Sequence, residues 1–300
     1  MKNKIQKSNY FPKTRILGWW LKKQFLEFSL LLKMIYSQCS FHLIKAQILW
    51  LLVHSLIFPF SRILLGGKKA YKICGSLLTN VYFPSVVLSL APLLKSKVIL
   101  RDIVDFGAYR EICVYNIYFH EALRSGMNII DIGAHIGMYT IFAAEKIGNT
   151  GKVIAIEPES ENYKQLLKNI KVNNFFNIIP VNIALFNHEG CEKLYLSSFS
   201  GSHSLSPKED TISSIEVPLK TLDNLLEELN LKKVDIIKID AEGAEIPILK
   251  GAEKTLKANP NAKIIVASYH YPSEIKEVCQ FLNERGFKTK VSSGSVVMTI

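Results

Sequence analysis

Three short stretches concentrate the side chains that could do chemistry. The first is DIGAHIG at 131–137, an acid followed by two glycines with a histidine between them. Asp131 ends a short apolar run, Gly133 permits a tight turn, and Gly137 lets a helix begin close to a ligand. A pyrophosphate-binding turn would read G-x-G-x-x-G; here the spacing is G-x-x-x-G, with Ala134 and His135 in the turn. The second is Glu157, which closes the next apolar run at the place where Rossmann-like folds use an acid to accept hydrogen bonds from ribose hydroxyls. An acid there also disfavours a 2′-phosphate. The third is KIDAEGAE at 238–245, with Asp240, Glu242 and Glu245 at one strand–helix junction. Such carboxylates can hold a substrate hydroxyl, take its proton, bind a divalent cation or cap a helix. For Glu245 the favourable field of a helix N-terminus is explanation enough. His270, in the SYHYP stretch, is a further candidate base or substrate ligand.

These residues need a frame that brings them to one edge. From about residue 95 the chain alternates short apolar runs with helical periodicity. Strands are predicted at Met127–Asp131, Lys152–Glu157, Asn177–Val181, Val234–Asp240 and Ala262–Ser268. Between them, Met138, Ile141, Phe142 and Ile147 mark one helix, and Tyr163, Leu166, Leu167 and Ile170 the apolar face of a second, opened by Pro158. A third helix is expected from Ala244 to Lys257, and Ile275, Val278, Phe281 and Leu282 mark a fourth. Alternating strands and helices imply α/β architecture with a mostly parallel, doubly wound sheet. Phe287–Val291 and Val296–Ile300, around Ser-Ser-Gly-Ser, add a C-terminal antiparallel hairpin that a nicotinamide-binding domain does not usually carry. The stretch 185–232 breaks the rhythm. Its two strands, a Ser/Gly-rich loop at Ser197–Ser206 and a short helix at Leu222–Leu231 are expected to overhang the carboxyl edge of the sheet, where ligands bind.

The 300 residues carry a net charge of +11, but the average conceals two segments. Residues 1–100 hold 15 Lys and Arg against one acid, Glu27, whereas 101–300 hold 22 against 25 Asp and Glu. The basic segment is also apolar. Lys33, Ser40, Gln47 and His54 recur at heptad spacing as a polar stripe on a greasy helix, with Trp19, Trp20 and Trp50 suited to an interface. Residues 1–94 therefore read as a helical segment lying on a membrane surface, with Lys13, Arg15, Lys22 and Lys23 near anionic headgroups. The apolar run between Lys45 and Arg62 is marginal for crossing a bilayer. A nucleic-acid arm would not need so long an apolar run, so no nucleic-acid partner is expected. Five cysteines, none in a C-x-x-C pair, indicate free thiols in a reducing compartment. The expected location is the cytoplasmic face of a membrane, or else the cytoplasm.

Taken together, DIGAHIG, VIAIEPES (153–160), IALFNHEG (183–190) and KIDAEGAEIPILKGAE (238–253) resemble the FkbM-like family of S-adenosylmethionine-dependent methyltransferases. The resemblance covers roughly residues 95–300. It implies a Rossmann-like methyltransferase sheet with the reversed terminal hairpin, S-adenosyl-L-methionine as cofactor, and O-methylation of a hydroxyl, often on a sugar. It places Asp131, Gly133 and Gly137 at the methionine end of the cofactor, Glu157 on its ribose and Asn182 to Leu185 near its adenine. Asp240 and Glu242 would face the transferred methyl and the acceptor hydroxyl. Two departures stand out: His135 occupies a turn position where the family usually has Asn, and Ser268-Tyr269 replaces an acidic pair. Asp240, Glu242 and His270 are the expected catalytic residues, and His135 joins the cofactor set. No metal is assigned, although the carboxylates would suit Mg²⁺. The expected acceptor is a hydroxylated glycan or glycolipid at a membrane. The rival readings are a membrane-bound scaffold with a degenerate cofactor site and an NAD-dependent oxidoreductase.

Overall fold

The computed structural model describes residues 85–90, 94–292 and 296–300, together with Phe28, Ile44, Gln47, Ile48, Leu51 and Leu52. The heptad stripe, the tryptophans and the basic cluster expected at a membrane surface thus lie, Gln47 apart, outside the described residues. Among the described residues no helix is long and apolar enough to cross a membrane. The chain divides into two compact units, Met1–Val86 and Val87–Ile300.

The second unit opens with a two-stranded sheet of β1 (Val86–Ser89) and β2 (Lys97–Leu100), then α1 (Ile103–Tyr109). A strand at 86–89 departs from the helical segment expected up to residue 94. β3 (Asn128–Ile132), α2 (Met138–Ile147), β4 (Lys152–Ile156), α3 (Ser160–Asn173) and β5 (Ile178–Val181) follow in alternation. A separate three-stranded sheet holds β6 (Ala184–Leu185), β7 (Gly190–Ser197) and β8 (Thr211–Lys220), in the order β6-β8-β7. The chain then runs through α4 (Leu222–Glu228), β9 (Ile236–Ile239), α5 (Glu245–Lys250), α6 (Glu253–Ala258), β10 (Lys263–Ala267) and α7 (Glu274–Asn283). It ends with β11 (Thr289–Val291) and β12 (Val296–Thr299).

The main sheet has the order β11-β12-β10-β9-β3-β4-β5. Strands β3, β4, β5, β9 and β10 are parallel, and β12 runs antiparallel to both its neighbours. This is the doubly wound sheet with a reversed terminal hairpin that the sequence predicts. Ile130, Ile132, Ile154, Ile156, Ile237, Ile239, Ile264 and Val266 are all buried in one core, joined by Ile248 and Leu249 of α5 and Phe281 and Leu282 of α7. Strands covered on both faces read as continuous isoleucine-rich runs for this reason.

Two helices differ from expectation. The segment 244–257 is two short helices rather than one. Asp223 of α4 accepts from the backbone N–H of Lys254 and Thr255 at 2.9 and 2.8 Å, capping a second N-terminus after Gly251. In α3, Leu166 is buried as expected, but Leu167 is exposed and the rest of the inner face is polar: Asn162, Gln165 and Asn169. Gln165 and Asn169, with Asn173 one turn further on, hydrogen-bond to the edge of β2. Asn173 and Asn169 accept from the N–H of Lys97 and Ile99 at 2.7 and 2.8 Å, while Gln165 donates to Ile99 O at 3.0 Å and Asn173 to Lys97 O at 2.7 Å. Side chains one helical turn apart thus replace a neighbouring strand and satisfy backbone groups that could not be left unpaired.

Candidate active site

In a doubly wound sheet the strand order reverses at one point, and the crevice beyond the carboxyl ends of the strands there takes ligands. That point lies between β3 and β9, the strands that lead into the two sharpest motifs. The turn after β3 is anchored to β4, since the N–H groups of Gly133 and Ala134 both donate to Ile156 O at 3.0 Å. Gly133, His135 and Gly137 all have positive φ, at 73°, 53° and 86°. A Cβ on Gly133 would lie 1.8 Å from the carbonyl oxygen of Asp240, and one on Gly137 2.5 Å from Leu166 Cδ1. The turn after β3 therefore packs directly on the acidic motif after β9. His135, like Asn, is among the residues that tolerate the left-handed region, which fits it to a turn position where Asn is usual.

Asp131 lies opposite Lys238 in the β3–β9 register. It is wholly buried, with its carboxylate 3.0 Å from Lys238 Nζ and accepting from Thr140 Oγ1 at 2.5 Å. Lys238 also donates to the carbonyls of Gly133 and Ile132 at 2.8 and 3.3 Å. Asp131 thus fixes the turn from beneath, through a lysine that the sequence reading did not single out. A lone lysine in an apolar strand was the available signal.

Glu157 is 5% exposed. Its Oε2 accepts from the N–H of His135 at 2.8 Å, and its Oε1 from the N–H of Glu159 at 3.0 Å and Asn162 Nδ2 at 3.4 Å. Burial pushes it up to about 7 in spite of those donors. Asn182 is exposed and donates to the carbonyls of Glu157 and Pro158 at 2.8 and 3.1 Å, holding this turn in shape. Two segments cover the region. Arg101 donates to Asp105, Asn162 and His135 at 3.1, 2.9 and 3.3 Å, and Ser200 contacts His135 Nε2 at 3.1 Å through its hydroxyl. Arginine can only donate, so His135 Nε2 is the acceptor. Burial, with Arg101 beside it, brings His135 down to about 3 and keeps it neutral.

Beyond β9, Asp240 is partly open, its side chain 24% exposed. Tyr118 OH donates to its Oδ2 at 2.6 Å and Tyr269 OH to its Oδ1 at 3.3 Å. Burial and Asp240 hold the Tyr118 phenol well above the usual range; Asp240 and burial do the same for Tyr269, so both remain donors. Glu242 has a positive φ of 54° and pairs with Lys208 Nζ at 2.5 Å. Lys208 and Ser204, whose hydroxyl donates to Glu242 O at 2.8 Å, belong to the connection between β7 and β8. That insertion does overhang the carboxyl edge, as its departure from the βα rhythm suggests.

His270 is enclosed rather than solvated. Its Nε2 lies 3.7 Å from Asp240 and 3.6 Å from Glu242; its Nδ1 lies 3.3 Å from both Glu245 and Glu274. Burial opposes its charge, but the facing Glu242 and Glu274, then Glu245, outweigh it and lift it to about 10. Burial pushes Glu245 up as well, with Glu274 beside it. In this state His270 is an imidazolium that donates and cannot accept a proton. Glu242 is held by Lys208, which leaves Asp240 as the accessible carboxylate. Asp240, Glu245 and His270 offer three donor atoms close enough to share a metal ion. Tyr118 and Tyr269 were not foreseen as site residues: Tyr118 lies in no motif, and Tyr269 stands out only as occupying a position where an acidic pair was expected. At the opposite ends of the strands, a cleft lined by Phe119, Arg124, Asp235, Lys263 and Met298 carries none of the motif residues.

Residues 131–289 match the model of the methyltransferase FkbM domain. Methyltransferase sdnD of Sordaria araneosa is 25% identical over 211 residues, covering 60% of this chain and 80% of that protein. The hexuronic acid methyltransferase AglP of Haloferax volcanii is 24% identical over 164 residues, covering 54% of this chain and 64% of its own length. The crystal structure of methyltransferase FkbM from Methylobacillus flagellatus aligns with a TM-score of 0.44 at 16% identity, over 66% of this chain and 54% of that one.

Proposed function

Because this chain belongs to the FkbM-domain methyltransferase family, we propose that it moves a methyl group from S-adenosyl-L-methionine to a hydroxyl of a sugar, glycan or glycolipid. The observation that carries this reading is the contact between Gly133 and the Asp240 carbonyl, which sets the cofactor turn against the accessible carboxylate at the sheet's switch point. The residues present fit the cofactor. An added Cβ at Gly133 or Gly137 would strike the Asp240 carbonyl or Leu166, so glycine alone keeps this turn tight at the strand ends, and Glu157 beside it is a buried carboxylate with lone-pair capacity left for a ribose diol. Asn182 and His135 shape the same turn. When bound, the cofactor supplies a methyl on a sulfonium, an electrophile open to in-line displacement by oxygen. Asp240 orients the acceptor hydroxyl and takes its proton as the new C–O bond forms, a role usually worth about 10²–10⁴-fold. Tyr118 holds Asp240 in place. The imidazolium of His270 and the Lys208–Glu242 pair keep the neighbouring charge fixed. Ser200, whose hydroxyl bonds His135 Nε2 and whose carbonyl accepts from Asn162 Nδ2, would have to release these bonds to admit the cofactor.

A relative that acts on a hexuronic acid supports a sugar acceptor. The basic, apolar character of residues 1–94 supports an acceptor at a membrane's cytoplasmic face, which sedimentation with anionic vesicles tests. The central test is calorimetry with S-adenosylhomocysteine and then NAD, followed by transfer of labelled methyl to a panel of hydroxylated acceptors. Saturable binding of the first alone, lost in Glu157→Ala, with turnover lost in Asp240→Asn, is the expected result. A folded chain that binds neither compound overturns the reading and favours a scaffold.

A further inference from the structure

Asp240, Glu242, Glu245 and Glu274 converge on one imidazole. Among the described residues, the cationic groups paired with this cluster are His270 and Lys208, and Lys208 is committed to Glu242. Two atoms here are buried with no hydrogen-bond partner, Glu245 Oε2 and His270 Nε2. The Glu245 side chain is 0% exposed and that of His270 4%. A buried carboxylate oxygen without a donor is costly, and such charges are normally paired or coordinate a metal.

We infer that Asp240, Glu245 and His270 form a binding site for one divalent first-row metal ion of the Mn²⁺ type. Each offers one donor atom, and the three lie within 4.8 Å of one another. Two donors on one ion at bonds of about 2.2 Å lie at most about 4.4 Å apart, and about 3.1 Å apart at right angles, so the three side chains must turn inward to close on an ion. One imidazole nitrogen with two carboxylate oxygens is a mixed set that suits Mn²⁺ better than the all-oxygen shells of Ca²⁺ or Mg²⁺. Outer partners are already in place. Glu245 Oε1 is pinned by the N–H of Ala241 at 2.9 Å, and Glu274 accepts from the N–H of His270 at 2.8 Å while facing its Nδ1. Held against Asp240, the ion also polarises the acceptor hydroxyl, a consequence that rests on the methyl-transfer reading. Binding of the ion does not rest on it.

The test is titration of MnCl₂ into the full-length chain, following free Mn²⁺ by its paramagnetic resonance signal. S-adenosylhomocysteine is titrated separately as a check on the neighbouring cofactor turn. One Mn²⁺ per chain is expected, weakened about 100-fold or more in Glu245→Gln and in His270→Gln, with S-adenosylhomocysteine binding kept in both. No stoichiometric Mn²⁺ binding by a wild-type chain that binds S-adenosylhomocysteine overturns the site, whatever the variants do. Mn²⁺ binding unchanged in both variants overturns it too, because the ion then sits elsewhere. Mn²⁺ binding lost in the variants, by a chain that binds no S-adenosylhomocysteine, supports the metal site while removing the methyl-transfer reading.

Discussion

The hydroxyl of Tyr118 donates to Asp240 Oδ2 at 2.6 Å across 122 positions of sequence, so the accessible carboxylate of the site is held by a residue that precedes the matched family domain. Tyr118→Phe keeps the ring, which stands edge-on to Tyr139, and removes only the donor. Hydrogen bonds to charged groups contribute about 1.5–3 kcal/mol. The variant is expected to lose about 10- to 100-fold in kcat, with S-adenosylhomocysteine affinity unchanged by calorimetry. An equal loss in cofactor affinity would instead mean that the hydroxyl supports the whole crevice.

On the proposed reading, Glu157 is expected to make cofactor binding depend on pH. Burial holds it at about 7, above the usual 4.5, so the folded chain takes up a proton there more readily than the unfolded chain. Its stabilising share is fully present below 4.5 and lost as pH rises through 7. A ribose diol needs the carboxylate form, so S-adenosylhomocysteine affinity is expected to fall by about tenfold per pH unit below 7. Glu157→Gln should bind weakly at every pH and lose this slope. Calorimetry between pH 5.5 and 8 reads both.

Gly133→Ala meets two obstacles, a φ of 73° and a backbone oxygen 1.8 Å from the new methyl. Backbone cannot step aside, and a loss of about 3 kcal/mol or more is expected. Gly137→Ala has a similar φ but meets the end of the Leu166 side chain, which can rotate. Its loss is expected to be smaller, about 1–2 kcal/mol. Urea unfolding of the two variants should rank them in that order.

Asn169→Leu preserves size and removes the amide that accepts from Ile99 N at 2.8 Å and donates to Ile136 O at 2.8 Å. Each buried group left unpaired costs about 1–3 kcal/mol, so about 2–5 kcal/mol in all is expected. Leu167→Ala, on the exposed side of the same helix, should cost little. If the two changes prove equal in thermal melts, the side-chain bridge to β2 contributes nothing.

That bridge shows where sequence reasoning stops. The strands and the order of motifs were legible because isoleucine-rich runs such as Ile129–Ile132 and Ile236–Ile239 are buried on both faces. The inner face of α3 was not, because amphipathic patterning assigns Asn162, Gln165 and Asn169 to water, whereas Gln165 and Asn169 bond backbone groups and Asn162 bonds Arg101, Glu157 and Ser200. Glu157 and Asp240 could be placed from strand ends alone. Tyr118 could not: its role depends on a loop path that no local pattern encodes. His270 was visible as a residue, yet its enclosure by Glu245 and Glu274 arises from the packing of α5 and α7.

Gly133 and Asp240 leave no space between them, and Lys238 ties the carbonyl of Gly133 to Asp131 in the sheet below. On the proposed reading, a ligand that displaces one loop would displace the other, so whatever factor the cofactor adds to acceptor affinity the acceptor would return to the cofactor through this one glycine.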